Sequence, residues 1–584
     1  MDRKRLGVGL LLFAAILAVV LVVAACGGTE TTTTAGPATT GGTATTAGPA
    51  TTAGPATTTA STEPAKKSTL RMGWSESPTA GLNPFLARTE GDYVYLGLMY
   101  EPMAIPLMDG TMMPWLAKSW TYDAAANTWT FVLDERAKWS DGQPVTADDV
   151  KYTFDTAYAL DLSIGSTTKS FVSSVDVIDP QTVKFTLKEP LAAFASLAGG
   201  TLIMPKHIWE KVGAVDTYEN PNPVGSGPFV LKEYKPREYM AVDKNPDYWQ
   251  GPAKVDQVIV QVFTNPEAEV MSLKSGDLDV MPDLSGNESL IPALLSDNNV
   301  NVQVDRWPHI LYLAPNYRVP ALADLQVRKA MDLAIDRDAI LKTALSGYGE
   351  PPLMGYVPPL VTKWVNTAVT WKGKDVAAEE RVAQANAILD AAGYKAGSDG
   401  VRVGPDGKKL DFTIRCITYP SYVRTSELIK EDLAKIGIKI GVEVSDPETL
   451  YGGIIYSGEG GDKWDLLVHG STMTPDPDNF AREYAPDDPA PWDNATAFGF
   501  SDPELQPLLQ ASRREMDDAK RVDQIMQAQQ MFADKLVVVS LAHRAHPAAY
   551  RTDRFEGWNP VMIAYGGMVH PLASIVNLLS LMPK

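Results

Sequence analysis

Residues 411–444 read DFTIRCITYPSYVRTSELIKEDLAKIGIKIGVEV, and their hydrophobic period changes twice. Apolar residues alternate over 412–416, recur at helical spacing over 428–436 and alternate again over 438–444. The pattern predicts a strand, a helix and a second strand parallel to the first, joined by a right-handed crossover. We therefore predict an α/β fold, in which Cys416 is a buried core thiol and not a nucleophile.

Similar patterns occur on both sides of this unit. Alternating apolar residues predict strands at 127–133, 181–187, 255–263 and 464–470. Asp324 and Asp336 are suited to cap two amphipathic helices over 324–346. In an open sheet of this kind, ligand-binding groups are expected in the loop after the strand at 464–470.

Three aspartates in KWSDGQPVTADDVKYTFDTAY (138–158) could be taken for a catalytic carboxylate pair. However, Asp141 lies in a Ser-Asp-Gly turn, and Thr146 and Asp149 have the spacing of a capping box. Asp148 and Asp149 would also interact favourably with the helix dipole. We therefore predict a helix start here and no acid–base chemistry.

Other motifs that could carry chemistry are weak. The glycines of 224–228 lack the lysine of a phosphate loop and lead into an apolar run that suggests a strand. His543 and His546 are close together, but no carboxylate or cysteine accompanies them at metal-ligand spacing. The chain has no GxSxG, HExxH or CxxC motif. A hydrolase whose catalytic residues are dispersed in sequence stays an alternative.

The amino terminus predicts export. A short basic start precedes an uncharged apolar run over 6–25, as in a secretory signal. Residues 23–26 resemble the bacterial lipoprotein signal, which implies cleavage of 1–25 and lipid attachment to Cys26. A membrane-spanning helix is the alternative, because the apolar run is about long enough to cross a bilayer. Either way, the rest of the chain is expected outside the cytoplasm.

Residues 26–64 repeat TTAGPA and contain no large apolar residue, so we predict a disordered stalk. The roughly 520 residues beyond the stalk are more than one hydrophobic core usually spans, so two or three domains are expected.

The chain carries 52 Lys+Arg and 71 Asp+Glu, a net charge of −19. This charge disfavours nucleic acids and anionic lipid surfaces as partners. Cys26 and Cys416 are the only cysteines, so no intramolecular disulfide is expected once Cys26 carries lipid.

The chain contains 13 tryptophans and 22 tyrosines, more than a core of this size requires. Some of them are therefore expected to line a ligand groove. Trp74, Tyr93 and Trp492 lie in polar contexts with nearby Gly or Pro and are candidates.

Six segments, taken together and in order, resemble the family 5 extracellular solute-binding proteins, the dipeptide, oligopeptide and nickel receptors of ABC importers. They are LAKSWTYDAAANTWTFVLDERAKWSDGQPVTADDVKYTFD (116–155), NPVGSGPFVLKEY (222–234), VMSLKSGDLDV (270–280), LQVRKAMDLAIDRDAILKTALSGYGEP (325–351), ILDAAGY (388–394) and TPDPDNF (474–480).

The resemblance implies a two-lobed periplasmic-binding-protein fold of type II, with an extra domain inserted in lobe I and a hinge of two chain crossings. Lobe I would comprise 65–110, 222–315 and 545–584, the inserted domain 111–221, and lobe II 316–544. The crossings would lie near 311–318 and 537–551.

In the peptide-binding members of the family, an aspartate shortly before the DPDNF-like segment pairs with the α-amino group of the ligand. Aligning 476–480 places Met473 at that position, and Gly470 where the dipeptide receptors have a tryptophan. A peptide ammonium would then lack its counter-ion, and burying it would be costly. This favours a neutral ligand such as an oligosaccharide, or a peptide held in another way.

The resemblance therefore implies a lipid-anchored binding protein that captures a peptide or similar small solute between its lobes and delivers it to a membrane permease. An oligosaccharide receptor of the same fold and a tethered secreted hydrolase are the alternatives. We expect a monomer without catalytic activity, cofactor or bound metal. The candidate ligand-binding residues are Trp74, Tyr93, Asn316, His469, Met473, Asp476 and Trp492.

Overall fold

The structure is a computed structural model that describes residues 67–79, 81–457, 463–487, 493–559 and 571–584. All of these belong to one compact unit, 66–584. Cys26, the predicted signal and stalk, and Trp492 lie outside the described residues. Among the helices that the structure describes, none is long and apolar enough to cross a membrane.

A ten-stranded mixed sheet runs through the molecule. Its strands, in spatial order, are β16 (Lys439–Ser445), β15 (Asp411–Ile417), β17 (Leu466–Thr472), β12 (Val300–Pro315), β18 (Val539–Arg551), β11 (Val280–Met281), β1 (Thr69–Trp74), β10 (Gln257–Val262), β9 (Tyr239–Lys244) and β8 (Phe229–Lys235).

A separate four-stranded antiparallel sheet lies within 111–221, the range expected for the inserted domain. Its strands, in spatial order, are β4 (Ala117–Asp123), β5 (Thr128–Leu133), β7 (Thr182–Leu187) and β6 (Val172–Asp179). Three two-stranded ladders complete the described strands: β2 (Ala104–Pro106) with β3 (Met112–Pro114), β13 (Lys395–Ala396) with β14 (Arg402–Val403), and β19 (Phe555–Glu556) with β20 (Met582–Pro583).

The α-helices pack on these sheets. In chain order they are α1 (Glu90–Leu96), α2 (Ala147–Ala159), α3 (Phe194–Gly199), α4 (Lys206–Trp209), α5 (Pro266–Ser275), α6 (Ile291–Leu295), α7 (Pro320–Ala323), α8 (Leu325–Ala334), α9 (Arg337–Ala339), α10 (Ala378–Ala391), α11 (Pro420–Ala434), α12 (Asp478–Tyr484), α13 (Asn494–Phe498), α14 (Leu505–Arg514), α15 (Asp518–Asp534) and α16 (Ile575–Ser580).

The predicted strand–helix–strand unit is confirmed as β15, α11 and β16. The two strands pair in parallel from Asp411 opposite Lys439 to Ile417 opposite Ser445. β15 also pairs in parallel with β17. Cys416 is fully buried, and burial raises the pKa of its thiol, as expected for a core residue.

The aspartates of 138–158 are structural, as predicted. Asp149 closes a capping box with Thr146 at the start of α2. Its second carboxylate oxygen accepts a hydrogen bond from the N–H of Lys206 at 2.8 Å. Both oxygens of Asp149 are thus used in hydrogen bonds within the inserted domain.

The two predicted helices over 324–346 are only partly regular. Asp324 caps α8 by accepting from the N–H of Gln326. Asp336 caps α9, but that helix continues as a π-helix over Ile340–Ala344. The wider turn is closed by the N–H of Leu345, which donates to the carbonyl of Ile340.

The glycine segment 224–228 forms a turn that leads into a strand. The N–H of Gly227 donates to the carbonyl of Met99 at 2.8 Å, and β8 begins at Phe229. The backbone N–H of Gly227 is therefore used within lobe I.

Strands β12 and β18 connect two hydrophobic cores. They pair antiparallel from Val300 opposite Arg551 to Leu313 opposite Val539. Val539 and Leu541 of β18 belong to the core of lobe II, whereas Ala548 belongs to the core that lobe I shares with the inserted domain. The same two strands thus serve both lobes.

The pairing of β12 with β18 is irregular at two places, between Arg306 and Ile310 and between Leu311 and Tyr312. Arg306 lies opposite Ala545, but the next matched pair is Ile310 with His543. Residues 307–309 therefore face Arg544 alone, and Pro308 among them has no N–H to donate. This irregular stretch begins a few residues before the first crossing expected from the sequence, 311–318.

A buried carboxyl joins the inserted domain to lobe I. Glu101 accepts hydrogen bonds from Trp115 Nε1 at 2.8 Å, from the Tyr248 hydroxyl at 2.5 Å and from Trp249 Nε1 at 3.0 Å. Burial outweighs these donors and raises the pKa of Glu101 to about 7. In the unfolded chain the carboxyl titrates near 4.5, so the folded protein binds the proton more tightly.

We predict that Glu101 makes the protein less stable as the pH rises from about 4.5 to 7, because the unfolded chain releases this proton first. Glu101→Gln removes the titrating group, so the melting temperature of the variant relative to wild type should rise between pH 5 and pH 7.5. Glu135→Gln, an exposed control, should not show this trend. A constant difference between Glu101→Gln and wild type across that range would contradict the prediction.

Candidate functional site

The carboxyl ends of the parallel strands in both lobes lie near the place where β12 and β18 pass from one lobe to the other. In lobe I, β1 pairs in parallel with β10 and β11. In lobe II, β15 pairs in parallel with β16 and β17. Ligand-binding groups in α/β sheets lie beyond such strand ends. The loops and helix starts that follow these strands therefore form the candidate site.

The two lobes meet across this site. A Cβ placed on Gly286 of lobe I would lie 3.0 Å from Cδ2 of Tyr419, which precedes α11 in lobe II. Arg544 of β18 donates from Nη2 to Glu288 Oε1 of lobe I at 2.8 Å. Its guanidinium also lies over the ring of Tyr422 of lobe II, 5.4 Å from the ring centre. Arg544 thus contacts both sides of the cleft.

Two predicted residues, Trp74 and Tyr93, lie in one corner of lobe I. Trp74 ends β1 and Tyr93 lies in α1, and both are buried. Near the start of α1, a Cβ on Gly91 would lie 3.0 Å from Glu76 Oε1 and 3.2 Å from Trp74 Nε1. The structure therefore places Glu76, which the sequence reasoning missed, beside the predicted tryptophan.

The predicted His469 lies in an aromatic cluster of lobe II. Its Nε2 is 3.0 Å from the Tyr456 hydroxyl, and its Nδ1 is 3.1 Å from the Tyr451 hydroxyl. Burial lowers the pKa of His469 to about 4, so the ring is neutral at physiological pH. A neutral imidazole held between two hydroxyls can present a polar but uncharged wall to a ligand.

Gly470 of β17 lies against the irregular stretch of β12. A Cβ on Gly470 would lie 2.1 Å from Cε1 of His309 and 2.7 Å from the Tyr422 hydroxyl. His309 stacks on Trp307 with ring centres 4.5 Å apart. The side chain of His309 thus occupies the space that a larger residue at position 470 would need.

Three predicted residues interact mainly within lobe II. Asn316 donates from Nδ2 to the Trp464 carbonyl at 2.7 Å. Met473 is 2% exposed and belongs to the core of lobe II. Asp476 accepts from Arg521 at both oxygens, each at 2.6 Å. Ligand binding by these three residues, like that of the other four, stays a prediction.

Two cavities lie close to these groups. One of about 220 Å³ borders the irregular stretch and is lined by Trp307, Arg544 and the loop 347–350. Another of about 180 Å³ separates the inserted domain, at 192–196, from Asp476 and Arg521 of lobe II.

Sequence reasoning missed Glu76, Glu269, Asp283, Tyr419 and Arg544. Four of them follow strand ends or begin a helix after one, and that position was a usable signal once the strands were assigned. Arg544 gave no such signal, because its role depends on the pairing of β18 with β12, which are distant in sequence.

The inserted domain also contacts lobe II. Arg514 of α14 donates to both oxygens of Glu189, at 2.8 and 2.7 Å, and this ion pair lowers the pKa of Glu189. The N–H of Ala192 donates to the carbonyl of Arg513 at 2.8 Å. The guanidinium groups of Arg513 and Arg514 lie 4.9 and 5.5 Å from the ring centre of Phe171. We call these five residues the latch.

The two lobes share two long strands, their strand ends face each other, and the latch connects the inserted domain to lobe II. This is the arrangement of a two-lobed binding protein. A sequence profile of the middle region of family 5 of the bacterial extracellular solute-binding proteins matches residues 111–491, so the chain belongs to that family. Members of this family are binding proteins of ABC importers and not enzymes. This confirms the family that the six sequence segments predicted.

Relatives and solved structures agree with this assignment. Di/tripeptide-binding protein 1 of Pseudomonas aeruginosa is 25% identical over 504 residues, which cover 80% of this chain and 88% of that protein. The substrate-binding protein CtaP of Listeria monocytogenes matches with a TM-score of 0.75 at 23% identity, covering 88% of this chain and 99% of that one.

The oligopeptide-binding protein AppA of Bacillus subtilis, in complex with a nonapeptide, matches with a TM-score of 0.71 at 22% identity. The match covers 89% of this chain and 99% of that one. These structures confirm the predicted two-lobed α/β fold.

We predict that Arg514→Ala weakens ligand binding about two- to fivefold, because a partly exposed ion pair of this kind contributes roughly 0.5–1 kcal/mol to the closed form. Glu189→Ala should have a similar effect, and the double variant should be little worse than either. Lys151→Ala, which breaks an exposed ion pair inside α2, is the matched control. Calorimetric affinities that respond equally to all three single variants would contradict a role for the latch.

Proposed function

We propose that this protein is a lipid-anchored binding protein that captures a peptide or similar small solute between its lobes and delivers it to an ABC permease. The observation that carries the proposal is the facing of strand ends from both lobes across one pair of connecting strands. Tyr419, Tyr422 and Arg544 lie where these strand ends face each other.

Closure is proposed to occur by bending at 307–309 and Arg544. Regular β-pairing resists bending, whereas a stretch with three residues opposite one has fewer fixed hydrogen bonds. The groups that meet on closure include Tyr419, Gly286 and the latch. A ligand shifts the equilibrium toward this form only by binding it more tightly than the open form.

The anchor is proposed from the sequence alone. Lipid on Cys26 would hold the protein at the outer face of the membrane, and the stalk 27–64 would let it rotate to meet the permease. Tethering raises the local concentration of the binding protein near that partner.

A thermal-unfolding screen with di- and tripeptides tests the binding function. The melting temperature should rise with peptide concentration as RT ln(1 + [L]/Kd) requires. The peptides should be recovered unchanged after long incubation. Peptides that cause no rise at any concentration, or that are consumed, would refute the proposal.

Membrane attachment can be tested with the two cysteines of the chain. In whole cells grown with labelled palmitate, wild type should incorporate the label and Cys26→Ala should not. Cys416→Ala is the matched control and should incorporate the label, since this thiol is buried in lobe II. Equal incorporation into Cys26→Ala and wild type would rule out lipid at Cys26.

A further inference from the structure

We infer that lobe I binds a positively charged group of the solute, a protonated amine or a guanidinium, at the carboxyl of Glu269 with Asp283 and Glu76 beside it. This inference rests on the proposed function and names the chemical class of solute. Nothing in the sequence reasoning pointed to it, because Glu269 resembles an ordinary acidic residue in the first turn of a helix.

Glu269 is an acidic residue with a buried side chain. It lies in the first turn of α5 and is only 6% exposed. Its carboxyl lies against Gly73 of β1, where a Cβ would be 2.2 Å from Oε1. The absence of a side chain at Gly73 therefore leaves the space that this carboxyl occupies.

Neither Glu269 nor Glu76 forms an ion pair with any residue that the structure describes. A buried carboxylate without a partner is costly. Burial, with the charge of Asp283 adding to it, raises the pKa of Glu269 to about 8. A cationic ligand group would remove this cost by supplying the missing partner.

The acidic groups lie on the cleft side of lobe I. Asp283 follows β11 and Glu76 follows β1, at the carboxyl ends of neighbouring parallel strands. Asp283 Oδ1 is 3.7 Å from Nε2 of His546 on β18. Burial, then the charges of Asp283 and Glu76, raises the pKa of Tyr419 of lobe II to about 12. Both carboxylates are thus close to the opposite wall.

Asp283 is the member of this cluster with positive groups near it. It faces His546 and Arg544, and Nη2 of Arg544 also donates to Glu288. Tyr419 faces Asp283 and Glu76 from lobe II. Glu267, on the same helix as Glu269, is exposed. The acidic groups near Glu269 favour a cation over an anion, and a bound cation would favour the ionised form of Glu269.

The sequence alignment places Met473 where peptide receptors have their counter-ion, and on that ground a neutral ligand is expected. The carboxyl of Glu269 would instead supply a counter-ion from lobe I, so that a charged amine is buried with a partner.

Three tripeptides separate the two possible sources of the charge: tri-alanine, N-acetyl-tri-alanine and N-acetyl-tri-lysine. Calorimetry with the wild-type protein should show at least one of the two cationic peptides binding about tenfold or more tighter than N-acetyl-tri-alanine. Preference for tri-alanine assigns the site to the amino terminus, and preference for N-acetyl-tri-lysine assigns it to a side chain.

Glu269→Gln should abolish that preference. Gly73→Ala, which fills the space of the carboxyl, should have the same effect if Glu269→Gln fails to fold. Glu267→Gln is the matched control on the same helix and should keep the preference. Equal affinity of wild type for all three peptides, or a preference that survives in Glu269→Gln, would overturn the inference.

Proton linkage gives an independent readout. A cation lowers the pKa of the carboxyl, so binding releases a proton and affinity for the preferred cationic peptide should rise from pH 5.5 to pH 7, a range in which the α-amino group of tri-alanine stays mostly protonated. Calorimetry in two buffers of different ionisation enthalpy should detect this release in wild type but not in Glu269→Gln. Binding of peptides without charge preference or proton release refutes this inference alone, whereas no binding of any peptide refutes the proposed function as well.

Discussion

The pairing of β12 with β18 is the constraint on which the rest of this structure depends. Each strand is long enough to pass from one hydrophobic core into the neighbourhood of another, so the two lobes are parts of one sheet and not separate bodies on a flexible linker. The ladder between β12 and β18 is irregular at 307–309, opposite Arg544, and again between Leu311 and Tyr312. The proposed bending at the first of these places would bring the strand ends of the two lobes together.

The cleft combines an acidic wall with an aromatic one. Glu76, Glu269 and Asp283 come from lobe I, whereas Tyr419, Tyr422 and His469 come from lobe II. The acidic wall can bind a charge, and the aromatic wall can cover apolar or polar uncharged parts of a solute. Because burial and the charge of Asp283 raise the pKa of Glu269 to about 8, its carboxyl is largely protonated in the empty site near neutral pH, and a bound cation would favour release of that proton.

Local patterns predicted local structure well. The unit β15–α11–β16 followed from two changes of hydrophobic period, and the start of α2 followed from the spacing of Thr146 and Asp149. These features depend on residues that are neighbours in sequence, so the sequence contains the information directly. The family followed from six ordered segments and is confirmed by the match over 111–491.

The candidate site was much less predictable, for a physical reason. Two residues distant in sequence or on another strand determine the surroundings of Glu269. Gly73, nearly two hundred residues earlier, leaves the space for its carboxyl, and Asp283, after another strand, helps to raise its pKa. His309 and Gly470 likewise fit together only because β12 pairs with β17. Asn316 and Asp476 are predicted ligand contacts, and the structure adds partners for both within lobe II: Asn316 donates to the Trp464 carbonyl and Asp476 accepts from Arg521, which no local pattern reveals.

The central claim is that the lobes close about the irregular stretch of β12 and β18 when a solute binds. Spin labels on Lys232→Cys in lobe I and Lys430→Cys in lobe II, in a Cys26→Ser background, report the distance between the lobes by pulsed electron spin resonance. The account predicts a long, broad distance distribution without solute and a shorter, narrow one with the tripeptide that most raises the melting temperature. A control pair within lobe I, Lys232→Cys with Met271→Cys, should not change. An interlobe distribution that is the same with and without bound peptide would contradict the account.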